Sequence, residues 1–193
     1  KPWDEDVKRI LIVLLFTGMR IGECLGLAWE DIDFEKKTIF IHHTLSCVDG
    51  ECYLDSPKTK SSIRLIAMNS TVEKCLRDQQ AYVWELKTAL GNKYAHPEMV
   101  FPSGLGNYRD RSSVYHSLKR MTKGTEFEDM TLHKLRHCNA TLLLNSGVDL
   151  KVISEHLGHC DIGVTANIYA DVLQRQKIRL ADTIDDKPSD ELT

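Results

Sequence analysis

With 193 residues, 42% of them hydrophobic and 27% charged, the chain has the balance of an ordinary globular protein, long enough to bury a core without a disulfide or metal staple. Its longest apolar runs, such as residues 10–16, fall far short of a bilayer span, and neither a collagen-like nor a largely disordered class fits. The net charge of −3 argues against a nucleic-acid partner, but residues 181–193 alone carry −4, which leaves +1 for the 180 residues before them. The chain opens on Lys1-Pro2-Trp3-Asp4 without a Met, the start expected of a piece of a longer protein.

Residues 4–16 read as a helix, capped by Asp4, with Val7, Ile10, Leu11, Leu14 and Leu15 recurring at helical spacing. Thr17-Gly18 ends it, and a second short helix is expected over residues 21–27. From Lys37 the period changes. Thr38-Ile39-Phe40-Ile41 is β-branched and aromatic, Asp49-Gly50 is a turn signal, and residues 63–67 are again strand-like. These imply a small antiparallel sheet of two or three strands within residues 37–68, with residues 57–62 at a turn. Asn69 or Ser70 caps a long helix to about residue 90, whose apolar side carries Val72, Leu76, Val83 and Leu86. Residues 91–108 are loop and 111–121 helical. Thr131 caps a helix over residues 132–145, closed by Gly147, and Asp149 opens another to Leu157, stopped by Gly158. Short helices follow near residues 162–169 and 172–181, then a disordered acidic tail over 181–193. The fold class is mainly α with a small antiparallel β-sheet, in one domain over residues 1–180.

Six cysteines (Cys24, Cys47, Cys52, Cys75, Cys138, Cys160) are scattered without a Cys-x-x-Cys pair, which argues against a zinc site. Cys47 and Cys52 flank Asp49-Gly50 and can face each other across a hairpin, yet reduced thiols in a cytosolic protein are the expectation. Basic residues gather in two places. Lys58, Lys60 and Arg64 stand without an acid in residues 56–64, and Arg109, Arg111, Lys119, Arg120 and Lys123 face only Asp110 in residues 105–125. A nearly neutral chain can therefore still present a basic face.

Cations and imidazoles also sit where secondary structure ends. Arg20 follows the Thr17-Gly18 break, His133 and Arg136 share one helix face near its start, His159 follows Gly158, and Tyr169 comes ten residues later. Arginines, a lysine, two histidines and a tyrosine are what phosphodiester transfer without a metal requires. Guanidinium forks match phosphate oxygens, a tyrosine is a covalent nucleophile, and a proton donor protects the leaving oxygen. Each residue also has a structural reading. Arg20 can pair with Glu23, Tyr169 can be a core residue with its hydroxyl exposed, and His133 with His137 can bind zinc or simply pack. No Glu follows His133, so the His-Glu-x-x-His metalloprotease motif is absent. His137 is read as structural, and His42, His43, His96 and His116 have no motif support.

Together and in order these residues resemble a family. Thr17-Gly18-Met19-Arg20-Ile21-Gly22-Glu23-Cys24-Leu25-Gly26-Leu27-Ala28-Trp29-Glu30-Asp31-Ile32-Asp33 resembles the first box of the tyrosine recombinases, the phage-integrase family. Leu132-His133-Lys134-Leu135-Arg136-His137 resembles the His-x-x-Arg box, and Leu157-Gly158-His159-Cys160-Asp161 through Thr165 to Tyr169-Ala170 the final box, which carries the nucleophile. Val100-Phe101-Pro102 is similar to a segment common before the second box. The likeness runs from about residue 5 to residue 180, nearest in style to integrases of Gram-positive phages and conjugative transposons.

The resemblance implies the catalytic-domain fold of that family and a site-specific DNA recombinase that needs no metal, ATP or cofactor. By it, Tyr169 attacks the scissile phosphate and leaves a 3′-phosphotyrosyl link, while Arg20 and Arg136 clamp the non-bridging oxygens. His159 hydrogen-bonds the same phosphate, and His133 helps move the tyrosine proton. Lys58, or else Lys60, protonates the departing 5′-oxygen, and Glu23 orients Arg20. Lys60, Arg64, Lys119, Arg120 and Lys123 are expected DNA contacts. The implied partners are double-stranded attachment sites, a homotetramer on DNA with the fragment alone monomeric, and an excisionase or DNA-bending factor. The implied location is the bacterial cytoplasm at the nucleoid, away from any membrane. The family's core-binding domain would precede Lys1. Two alternatives remain: a type IB topoisomerase-like nicking and resealing enzyme, and a catalytically silent DNA-binding or assembly protein of the same fold.

Overall fold

Helix α1 (Pro2–Thr17) is the element around which the others pack. In the computed structural model, which describes residues 2–56 and 62–158 together with Gly163, Ala166, Ala170, Leu173 and Gln174, α1 lies against α3 (Ser70–Leu90), α4 (Arg111–Thr122) and α5 (Leu132–Asn145). That placement explains why Val7, Ile10, Val13 and Leu14 are all fully buried while Leu11 and Leu15 are only half-covered. The helix begins at Pro2, ahead of the expected Asp4 cap; proline's fixed φ suits a first turn, where its missing N–H costs nothing.

Four further helices start on side-chain caps. Asn69 Oδ1 accepts from the Val72 N–H at 2.9 Å, Asp110 Oδ1 from Ser112 at 3.2 Å, Thr131 Oγ1 from Lys134 at 3.1 Å, and Asp149 Oδ1 from Lys151 at 2.8 Å. Helix α6 (Leu150–Leu157) ends on Gly158, whose left-handed φ of 67° lets its N–H turn back to the carbonyls of Ser154 and Glu155. Helix α2 (Ile21–Leu25) is shorter than expected, because Gly26 caps it. Two side-chain ties hold α1 in place, one part-buried and one buried. Arg9 Nε donates to Gln79 on α3 at 2.7 Å, and Asp6 pairs with Arg109, which also donates to the Pro102 carbonyl at 2.7 and 3.0 Å.

The strands form two small antiparallel sheets rather than one. Strands β1 (Ile32–Asp33), β2 (Thr38–Ile41) and β5 (Arg64–Ala67) pair in the order β1-β2-β5, and β3 (Thr44–Val48) with β4 (Glu51–Asp55) is a separate hairpin inserted between β2 and β5 in the chain. Register fixes the faces of the larger sheet. Ile39 opposes Ile66 and both are buried, whereas Phe40 opposes Leu65 and both are exposed. The next pair inward is Ile41 with Arg64, so the period of two puts Arg64 on the core face.

The hairpin corrects the expectation of reduced thiols throughout. Cys47 and Cys52 stand directly opposite each other with their Cα atoms 4.1 Å apart, and they are joined by a disulfide. Cys24, Cys75 and Cys138 are free thiols, the first two buried, and Cys160 lies outside the described residues. The helices expected near residues 162–169 and 172–181 and the acidic tail also fall outside the stretches described.

Candidate functional site

Arg20 is the residue before the first turn of α2, with extended backbone at φ −73° and ψ 150°. Its N–H donates to Glu23 Oε2 and its Nη1 to Glu23 Oε1, both at 2.8 Å, so one carboxylate holds both ends of the residue. The Glu23 side chain is 5% exposed and that of Arg20 is 45% exposed, which leaves the guanidinium facing outward from a buried anchor. Gly18 sets up this turn. Its φ is 65°, and a Cβ there would come within 2.6 Å of both Asn139 Oδ1 and Leu157 Cδ2.

Two more arginines close on the same place. Arg64 donates to Glu23 through Nη2 at 2.9 Å and Nη1 at 3.2 Å, and its side chain is 7% exposed. Arg136, in the second turn of α5, donates through Nη1 to the Gly18 carbonyl at 2.7 Å and through Nη2 to the Leu157 carbonyl at 2.6 Å. The last carbonyls of α6 are then taken one by one. His156 O receives Arg64 Nε at 2.7 Å, Leu157 O receives Arg136, and Gly158 O receives Arg20 Nη2 at 3.2 Å. A helix C-terminus presents unpaired carbonyls and a partial negative charge, and cations satisfy both.

The electrostatics are lopsided: the guanidiniums of Arg20 and Arg64 bind one carboxylate, and that of Arg136 lies near enough to feel its charge. Burial alone would push the Glu23 carboxyl up, but the hydrogen bonds and charge of Arg64, with the Arg20 contacts, outweigh it and hold Glu23 below the usual carboxylate range. Burial, and then the neighbouring Arg20 charge, pushes Arg136 down to about 9, still charged at neutral pH. The cluster therefore carries excess positive charge, and its exposed member Arg20 lines a groove of about 740 Å³ walled by the β3–β4 hairpin and the start of α4. Such a site suits an anion.

The remaining candidates fall into three groups. His133 is exposed in the first turn of α5, its ring 4.6 Å from that of His137, and borders a cavity of about 420 Å³ with Arg111 and Tyr115. Lys119 Nζ donates to the Glu128 carbonyl at 2.7 Å, Arg120 is exposed with Nη2 3.2 Å from Ser117 Oγ, and Lys123 follows the last turn of α4; none of the three joins the arginine cluster. Lys58, Lys60, His159 and Tyr169 lie outside the described residues. Arg64 differs from expectation. It is not a surface cation but a buried one, turned inward because it shares the sheet face of Ile66. Sequence reasoning also passed over Asn139, whose Nδ2 donates to the Leu15 carbonyl at 2.9 Å and so ties α5 to the end of α1 below Arg20.

Among the described residues no group of three or more His, Cys, Asp and Glu side chains is arranged to hold a metal ion, and no helix is long and apolar enough to cross a membrane.

Comparison with known proteins gives a consistent picture. The Phage integrase family matches residues 2–176. A tyrosine recombinase XerC-like protein of Caldanaerobacter subterraneus subsp. tengcongensis is 34% identical over 207 residues, covering 95% of this chain and 53% of that protein. The ICEBs1 integrase of Bacillus subtilis is 31% identical over 183 residues, covering 93% of this chain and 48% of that protein. The chain thus spans about half the length of these curated relatives. Among solved structures, the Tn1549 transposon integrase in complex with transposon right end DNA superposes with a TM-score of 0.70 at 29% identity, over 90% of this chain and 58% of that one. The XerA recombinase, at 22% identity and a TM-score of 0.68, shares the fold.

Proposed function

The chain belongs to the phage integrase family, and from that premise we propose that residues 1–180 are the catalytic domain of a site-specific tyrosine recombinase that cuts and rejoins the DNA of a mobile element. One observation carries the reading most directly. Arg20 and Arg136, from two separate boxes of sequence, are fixed on the same three-carbonyl end of α6, and the next residue in the chain is His159.

The chemistry follows from that placement. The exposed guanidinium of Arg20 and the second proton on each η nitrogen of Arg136 meet the non-bridging oxygens of a scissile phosphate and stabilise the charge that builds on them. His159 donates to the same phosphate. The Tyr169 oxygen attacks phosphorus, its proton passing to His133. The bond to the 5′-oxygen breaks, and Lys58 protonates that oxygen as it leaves; Lys60 is the alternative donor. The phosphotyrosyl ester keeps the energy of the broken linkage, so attack by a second 5′-hydroxyl reseals DNA without a nucleotide cofactor. The partners on this reading are double-stranded attachment sites held by four copies of the chain, with an excisionase or bending factor setting direction, in the bacterial cytoplasm. Lys119, Arg120 and Lys123 add salt-dependent contacts to the backbone.

Trapping the covalent complex tests this. Nicked suicide duplexes tiled across the DNA flanking the gene are incubated in EDTA with the full-length protein and run on a denaturing gel. The expected result is a shifted band that disappears in Tyr169→Phe. Binding at low salt with no adduct on any duplex would point instead to a catalytically silent DNA-binding protein.

A further inference from the structure

Arg64 is a buried basic residue that reaches the site from the sheet. It enters from the sheet, on the core face of β5, opposite Ile41 and two residues before the fully buried Ile66. Its guanidinium makes a fork with both oxygens of Glu23, at 2.9 and 3.2 Å, and its Nε is 2.7 Å from the His156 carbonyl. A third contact, from Nη1 to the Ser62 carbonyl at 3.2 Å, ties it back to its own strand. It therefore joins three separately coded parts: the strand that follows Lys58 and Lys60, the carboxylate that grips Arg20, and the end of α6 from which the chain runs to His159.

We infer that Arg64 is a positioning residue for phosphoryl transfer, setting the register of Arg20 and of the α6 end against the lysine-bearing segment without touching DNA itself. The inference rests on the recombinase reading above. The physical reason lies in Glu23. Arg20 alone would give the carboxylate its backbone N–H and a side chain 45% exposed, and solvent and a phosphate both compete for that guanidinium. Arg64, at 7% exposure, supplies a second fork from the buried side, so Glu23 stays ionised and keeps its orientation when Arg20 turns to phosphate. A lysine in its place keeps the charge but offers one point where the guanidinium offers two parallel bonds and a third donor.

The test compares single-turnover adduct formation with DNA affinity for the full-length protein, Arg64→Lys, Arg64→Gln, Arg20→Lys and the double variant Arg20→Lys/Arg64→Lys, with thermal unfolding as a check on each. Arg64→Lys is expected to form adduct about tenfold more slowly with Kd within about twofold of the parent. In the Arg20→Lys background the same change is expected to cost less than about twofold more, because the two act through one carboxylate. A defect that multiplies in the double variant would mark a general structural role and overturn the inference. So would loss of the cooperative unfolding transition in both Arg64 variants. A weaker Kd with a salt slope reduced by about one would make Arg64 a phosphate contact instead. Unchanged kinetics would sink the inference while leaving the recombinase reading intact. If the parent protein binds DNA and forms no adduct, the recombinase reading itself fails, and this inference with it.

Discussion

His156 shows how the arginine cluster constrains its neighbours. Its carbonyl accepts from Arg64, and its ring is pressed into the same region, with Nε2 buried and unpartnered among the described residues. Burial, then the charges of Arg64 and Arg136, hold its pKa below the ordinary 6.5, against a hydrogen bond to the Thr17 backbone. The folded state thus binds this proton less readily than the unfolded chain. The stability contributed is complete above pH 6.5 and is lost as pH falls through the depressed folded value. Melting temperatures measured from about pH 7.5 down to about pH 5.5 are expected to fall more steeply for the parent than for His156→Gln. Equal slopes would show that His156 titrates alike in both states. Some of this cluster was legible in the sequence. Arg20 and Glu23, three apart, already suggested a pair, whereas Arg64 was expected to face DNA, and the pairing of β5 with β2 puts it instead on the face of the buried Ile66. The engagement of three α6 carbonyls was not legible, because it depends on how β5, α2 and α5 converge.

At the scale of elements, the break between α1 and α2 is the joint on which the site turns. Gly18 sits there with a left-handed φ, its carbonyl taken by Arg136, and Asn139 and Leu157 fill the space a Cβ would need. Gly18→Ala adds a methyl with no room and a conformation that alanine resists. A loss of about 2 kcal/mol is expected, seen as a fall of roughly 4–8 °C in the melting temperature. A melting temperature within about 1 °C of the parent would mean that the turn relaxes freely. The helices were readable because caps are local: Asn69, Thr131 and Asp149 each announce a start that the structure bears out, and Gly158 a stop. The strands were less so. Local pattern marks a strand but not its partner, so the segments read as one sheet divide into β1-β2-β5 and a separate β3–β4 hairpin. The Cys47–Cys52 link belongs to that hairpin; a turn at Asp49-Gly50 brings the two side by side regardless of compartment.

At the scale of the whole molecule, charge is arranged by place rather than by total. The chain is −3 overall, yet Arg20 and Arg64 share the buried Glu23 carboxylate, Arg136 stands beside them on the end of α6, and Arg20 lines a groove. On the recombinase reading proposed above, total charge is a poor guide to a nucleic-acid partner, because a phosphoryl-transfer site needs a few cations in fixed geometry more than a basic surface. The family and fold follow from the chain's match over residues 2–176. The identity of the nucleophile can be read by digesting the trapped adduct and sequencing the DNA-bearing peptide. The expected product is a nucleotide joined through its 3′-phosphate to the tyrosine of Asn167-Ile168-Tyr169-Ala170. Attachment through a 5′-phosphate, or to any other residue, would contradict it.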